Sequence, residues 1–197
     1  MKLILIDGGP ASGKNTLGEL LVYKLTGLGE KAVLLDLDTY VEKYNPKWTW
    51  GNEQEKEKDQ LQARIDISKD IDRYLLDDVT ALVIGERFLS KDDVLHFLKR
   101  LGADPPVYLY HLNLPFALRQ YRLHQRGPHS LIDLEKDQRD RDAVTEWPGC
   151  VYDNVHSPEE DASRLLSFIQ EGKGAFENEV SQKDSDELKR QHGLKLK

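Results

Sequence analysis

The sequence predicts an α/β fold, a three-layer doubly wound parallel sheet, and three observations predict it. Short apolar runs of strand length recur at 3–6, 32–35, 81–84 and 106–112. Segments with helical periodicity separate them, and connections of that length suit parallel neighbours, since antiparallel ones need only a hairpin. A glycine-rich turn leads straight from the first run into the first helical segment. Sheets of this kind carry helices on both faces and take ligands beyond the carboxyl ends of their strands.

Composition narrows the class. With 197 residues the chain has room for one such domain, small insertions and a full core. A net charge of −7 opposes a polyanionic partner, so nucleic acid is not expected to bind. Cys150 is the only cysteine, which excludes an internal disulfide and fits a reducing compartment, by default the cytoplasm. No apolar run approaches the ~18 residues of a membrane span, and the start of the chain is needed as a core strand, so no membrane association is expected. Monomer and homodimer are both compatible with the sequence. No internal repeat is visible.

Each element follows from local pattern. Leu3-Ile4-Leu5-Ile6-Asp7 reads as a buried strand ending in Gly8-Gly9-Pro10-Ala11-Ser12-Gly13-Lys14-Asn15-Thr16. A glycine turn between strand and helix lets backbone amides and the helix N-terminus converge on an anion. Gly8, Gly9 and Gly13 allow close approach and positive φ, and Lys14 brings a point charge to the terminal phosphates of a nucleotide. Gly8, Gly9, Ala11, Ser12, Gly13, Lys14, Asn15 and Thr16 are therefore the expected phosphate-binding residues. The pattern departs from G-x-x-x-x-G-K-[ST] at one place: Asn15 stands where a metal-ligating hydroxyl is usual, and Thr16 comes one later.

Leu17, Leu20, Leu21, Leu25 and Leu28 give the first helix an inner face, and Gly27 and Gly29 are stop signals. The second strand, 32–35, runs into Asp36-Leu37-Asp38; if it continues, alternation puts both carboxylates on one side, placed for a metal or substrate. Residues 41–60 form a turn-rich aromatic insertion in which Trp48 and Trp50 either stack on a planar acceptor or pack the insertion down. A polar helix is expected from Glu53, with Leu61, Ile65, Ile71 and Leu75 inward. The third strand ends in Gly85-Glu86-Arg87-Phe88, and Ser90 with Asp93 forms a capping box for the next helix. After the fourth strand, Pro115 opens a helix carrying Arg119, Arg122 and Arg126, the last two on one face. A polar segment then runs through Arg139-Asp140-Arg141 to a short last strand at 148–152, where Cys150 reads as core. Ser157-Pro158-Glu159-Glu160 starts a final helix with Ala162, Leu165, Leu166 and Ile169 buried. Residues 172–197 are charged and unpatterned and read as a solvated or loosely attached tail. His124 and His129 lack the spacing of a metal site.

The glycine loop resembles the G-x-P-x-S-G-K-G-T form of adenylate kinase and related nucleoside monophosphate kinases, which also lacks a hydroxyl directly after the lysine. Over about residues 1–170 the chain is similar to small P-loop kinases, the group that includes nucleoside monophosphate, shikimate, gluconate and deoxynucleoside kinases. The resemblance implies the strand order 2-3-1-4-5, a kinase domain over 1–171, a helical lid over about 122–142 and an acceptor side at 41–60. Arg122 and Arg126 match the family's R-x-x-x-R, where the first stacks on adenine and the second contacts the transferring phosphates; Arg139 and Arg141 fall where lid arginines re-enter the site. Glu86-Arg87-Phe88 looks like the D-R-[YFH] of thymidylate kinase and the E-R-S of deoxynucleoside kinases, implying an acid near metal or acceptor and an arginine on the acceptor. Asp36-x-Asp38 resembles the D-x-D of shikimate kinases. No single relative has both features.

The expected chemistry is transfer of the γ-phosphoryl group of ATP to a small molecule such as a nucleoside or nucleotide. Lys14 bridges the β- and γ-phosphates, Asp38 orients the acceptor proton, Arg87 clamps the acceptor, and Arg122 and Arg126 close with the lid. Mg²⁺ is expected at Thr16 with Asp38 or Glu86, partly through water. Adenine is expected between Arg122 and the loop at Asn154-Val155-His156. The rival readings are a kinase acting on a polynucleotide 5′ end and an ATP-binding switch or assembly protein.

Overall fold

Leu3, Ile4, Leu5 and Ile6 are all fully shielded from solvent, as a strand with layers on both faces requires. A computed structural model describes residues 1–45, 53–126 and 133–177, the side chains of 53–56 excepted. Trp48, Trp50, His129, residues 127–132 of the expected lid and 178–197 of the expected tail lie outside the described residues.

The elements in order are β1 (Leu3–Gly8), α1 (Lys14–Gly27), β2 (Ala32–Asp36), α2 (Leu37–Glu42), α3 (Glu53–Leu76), β3 (Thr80–Ile84), α4 (Lys91–Leu98), β4 (Val107–Asn113), α5 (Phe116–Gln125), α6 (Leu134–Asp142), β5 (Cys150–Asp153) and α7 (Pro158–Gln170). The sheet order is β2-β3-β1-β4-β5 with every strand pair parallel, the order that the family resemblance implied. Alternation along β1 divides the core. Leu3 and Leu5 pack with Ile67, Ile71, Val94 and Phe97 on the face covered by α3 and α4. Ile4 and Ile6 pack with Leu17, Leu21, Leu25, Leu165 and Ile169 on the face covered by α1 and α7. The carboxyl ends of β1, β2 and β3 therefore open onto one edge, with the glycine loop at its centre.

Five local expectations are corrected. The second strand stops at Asp36, which caps α2 by accepting the Asp38 N–H at 3.1 Å, so Asp38 lies in the first turn of a helix. On α3 the buried stripe is Ala63, Ile67, Ile71 and Leu75; Leu61 and Ile65 are 53% and 37% exposed, because they sit two residues, over half a turn, from that stripe. Leu28 follows the end of α1 and is exposed, and Cys150 lies half-buried on the edge strand. The first residues of the expected tail are tied down: Gly174 O accepts from Leu109 N at 2.9 Å, and Phe176 N donates to Val107 O at 2.9 Å. Among the described residues no helix is long and apolar enough to cross a membrane.

Candidate active site

The loop between β1 and α1 is a tight turn that requires glycine. Gly13 caps α1 at φ +95°, a left-handed value that L side chains disfavour. The amide of Ser12 donates to Gly9 O at 3.1 Å, closing the turn. Lys14 folds back so that Nζ donates to Gly8 O at 2.6 Å and Gly9 O at 3.3 Å. Burial there draws the Lys14 pKa down, a shift that the Asp7 charge opposes. Asn154, from the loop after β5, fastens the turn from outside by donating its amide to Ser12 O at 2.6 Å. A side chain added at Gly13 would lie 3.1 Å from Asn154 Nδ2 and 3.6 Å from Arg122 Nη1, so both expected adenine-side residues border the helix start.

A cleft of about 710 Å³ opens beside this loop. Gly8, Ala11, Ser12, Gly13, Lys14, Asn15 and Thr16 form one wall, and Asp38, Glu86, Arg87 and Arg126 face it. Gly9, Arg122 and Asn154 do not line this cleft; Gly9 borders a smaller one of about 230 Å³ behind the loop. Two sets of charge meet in the larger cleft.

The acidic set comes from the ends of β2 and β3. Asn15 donates to Asp36 Oδ2 at 2.7 Å, joining the glycine loop to the α2 cap. Enclosure in the cleft, and then the Asp36 carboxylate beside it, push the Asp38 carboxyl up to about 6, against the pull of Lys14. Glu86 accepts from Arg64 Nε and Nη2 on α3, both at 2.7 Å, so its carboxylate is held by a two-pronged ion pair. Asp36, Glu42 and Glu86 all crowd the Asp38 charge, and a cation brought in with phosphate would relieve this crowding. Among the described residues no group of three or more His, Cys, Asp or Glu forms a metal site.

The basic set is organised by α6. Arg139 lies on the surface, 67% exposed and 3.9 Å from Glu135, while Arg141 turns inward. Arg141 Nη1 and Nη2 donate to Asp7 at 3.1 and 2.9 Å, and its Nε donates to Asp137 at 3.2 Å. Asp137 also accepts from Arg119 Nη1 at 2.8 Å and lies 3.5 Å from Arg87. Arg87 donates to Asp140 at 3.1 Å. Arginines from the β3 loop, α5 and α6 thus converge on one carboxylate. Sequence reasoning missed Asp7, His111, Arg119 and Asp137 as members of this network. The available signal was Asp7, an acid ending an otherwise apolar buried run.

Gly9 is where this network touches the glycine loop. A Cβ there would fall 1.9 Å from Arg119 Nη1 and 2.5 Å from Asp137 Oδ2, and Arg119 is only 3% exposed. Gly9→Ala is expected to displace that pair and lower stability by about 1–3 kcal/mol, read by urea denaturation. An unchanged midpoint would mean that the pair relaxes freely.

Fold and site together define the P-loop kinase-like fold. No family model matches the chain, and no curated protein is significantly similar to it. Solved structures are similar: a sugar kinase from a Janibacter species (16% identity, TM-score 0.60, 86% of this chain and 95% of that one) and the shikimate kinase of Aquifex aeolicus (17% identity, TM-score 0.56, 86% and 97%). A third is the APS kinase of Mycobacterium tuberculosis, solved with AMPPNP and APS (18% identity, TM-score 0.53, 86% and 97%). At these identities the likeness establishes the fold.

Proposed function

We propose that this protein is an ATP-dependent phosphotransferase acting on a small hydroxyl-bearing acceptor of the nucleoside, nucleotide or related metabolite class. The observation that carries the reading is one cleft in which Lys14 of the phosphate loop, the carboxyl of Asp38 and the guanidinium groups of Arg87, Arg126 and Arg141 share a border. Phosphoryl transfer asks the protein chiefly to position reactants and to stabilise charge spread over the equatorial oxygens. The loop amides and Lys14 hold the β- and γ-phosphates. Asp38 accepts the acceptor's hydroxyl proton as that oxygen bonds to the γ-phosphorus; the bond from phosphorus to the β–γ bridging oxygen breaks, and ADP leaves. Arg126, Arg141 and Arg87 all line the cleft; in this reading the first two serve the transferring group and Arg87 the acceptor. Arg122 and Asn154 lie beside Gly13 at the start of α1, and in this reading they serve the purine. Mg²⁺, which would be held by Thr16 with Asp38 or Glu86, partly through water, would neutralise phosphate charge. The single cysteine fits a cytoplasmic setting.

The decisive experiment supplies ATP and Mg²⁺ with a panel of nucleosides, nucleotides, sugars and small acids, and follows ADP release and the phosphorylated product. ATP consumption indifferent to every acceptor would overturn the reading in favour of a hydrolysing switch.

The Asp38 environment adds a pH signature. Its carboxyl must be ionised to take a proton, so kcat/KM is expected to fall as pH drops below about 6. Asp36→Asn removes the charge that helps to raise this pKa and is expected to move the acidic limb to lower pH. A limb that stays in place in Asp36→Asn would detach it from Asp38.

A further inference from the structure

We propose that Asp7 is a positioning residue of this site, one that fixes the lid guanidinium of Arg141 over the phosphate loop. The proposal deepens the phosphotransferase reading and rests on it. Asp7 is 1% exposed at the end of β1, immediately before the loop. A carboxylate so placed needs partners, and three different elements supply them. The Gly8 N–H donates to Asp7 Oδ1 at 2.6 Å, His111 Nδ1 on β4 lies 3.1 Å from Oδ2, and Arg141 on α6 donates to both oxygens. His111 is itself fixed: its Nε2 donates to Pro148 O at 2.5 Å, and its ring centroid lies 4.5 Å from that of Trp147. The acid is therefore held by partners other than Arg141 as well.

Consider what remains of Arg141. A guanidinium has five N–H groups. Two are given to Asp7 and the Nε–H to Asp137, which pins the plane along two of its edges. Two N–H groups are left, on a side chain that borders both Lys14's cleft and the smaller one behind the loop. A planar donor locked in this way presents its remaining N–H groups to a phosphate without first having to be ordered. Arg119 is buried beneath Asp137 and Arg139 is on the surface, so neither takes this position. Asp7 touches no substrate in this scheme and acts through Arg141.

A purely structural tie between α6 and β1 makes a different prediction: it costs stability, and a variant that remains folded transfers phosphate normally. The test is a double-mutant cycle on ATP turnover, with acceptor or to water, in wild type, Asp7→Asn, Arg141→Ala and the double variant; melting curves report folding and calorimetry reports ATP affinity. Asp7→Asn is expected to lower kcat about 10- to 100-fold at nearly constant KM for ATP. The double variant is expected to match Arg141→Ala within about threefold, because the two residues act as one unit. Added guanidinium is expected to restore part of the turnover of Arg141→Ala and none of that of the double variant. Full kcat in folded Asp7→Asn, additive losses, or equal rescue in the double variant would each overturn the proposal. Should Asp7→Asn not fold, the rescue is repeated in Arg141→Ala/Asp137→Asn: persistence supports Asp7 as the seat of the cation, and loss overturns it. ATP binding by the wild type is read separately. A chain that binds no ATP refutes the phosphotransferase reading, whereas a chain that turns ATP over while Asp7→Asn is unaffected refutes only the role of Asp7.

Discussion

Lys14→Ala is expected to lower kcat for phosphoryl transfer by about 10²- to 10³-fold, with the melting temperature little changed. The lysine opens α1, and its ammonium lies on the Gly8 and Gly9 carbonyls at 2.6 and 3.3 Å. Those are local contacts, so their loss barely touches the core. A triphosphate entering the loop offers this cation a far stronger partner than two neutral carbonyls, and the attraction grows as charge develops on the leaving oxygens. Burial already draws the Lys14 pKa down, and phosphate would oppose that shift. Lys14→Arg is expected to recover little, because a planar fork does not fit a niche shaped around a point charge. Rates at saturating ATP decide the matter; transfer at the wild-type rate in Lys14→Ala would remove the phosphate loop from the chemistry.

The second large effect is a loss of activity coupled to a gain of stability. Asp38→Asn is expected to lower kcat about 10²- to 10⁴-fold, the range of a removed proton acceptor. The same variant is expected to melt about 1–3 °C higher at pH 8. The sign follows from proton binding. The Asp38 pKa in the folded chain, about 6, lies above the ordinary carboxylate value of 3.8, so the folded chain holds this proton more tightly than the unfolded chain does. The stability it contributes is fully present below about pH 4 and is lost as pH rises through about 6. Asparagine has no charge to crowd against Asp36 and Glu86, so the gain appears at pH 8 and vanishes near pH 4. Melting curves at both values, beside rates at pH 8, check the pair of effects. A rise in melting temperature with unchanged rate would leave Asp38 crowded but without a role in transfer.

Much of the architecture was legible because it depends on local signals. Four apolar runs and the glycine loop mark β1 to β4 and the start of α1; Ser90 with Asp93 and Ser157 with Pro158 mark helix starts that the structure contains. Strand order came from family resemblance, since nothing in the spacing distinguishes which neighbour β1 chooses. The misread residues are those where a side chain's partner is distant in sequence or its burial is decided by another element. Asp36 looks like any strand residue until its carboxylate caps the next helix. Leu61 and Ile65 match a helical repeat but on the wrong face, which only the position of the sheet decides. Arg139 and Arg141 are two residues apart in a polar run, and Asp7, 134 residues from Arg141, separates them by binding one. The glycine loop was therefore readable as a turn between strand and helix, whereas the ring of ion pairs around it was not.

The short pairing of residues 174–176 along β4 bears on self-association. β5 covers Tyr110 to Asn113, and the segment after α7 covers the remaining stretch from Val107 to Leu109. One flank of the sheet is thus shared between two brief tenants, and neither leaves a long ladder of unused amides and carbonyls for a neighbouring molecule to extend. A chain trimmed after α7 would bare the Leu109 N–H and the Val107 carbonyl together, lengthening the unpaired stretch along this margin.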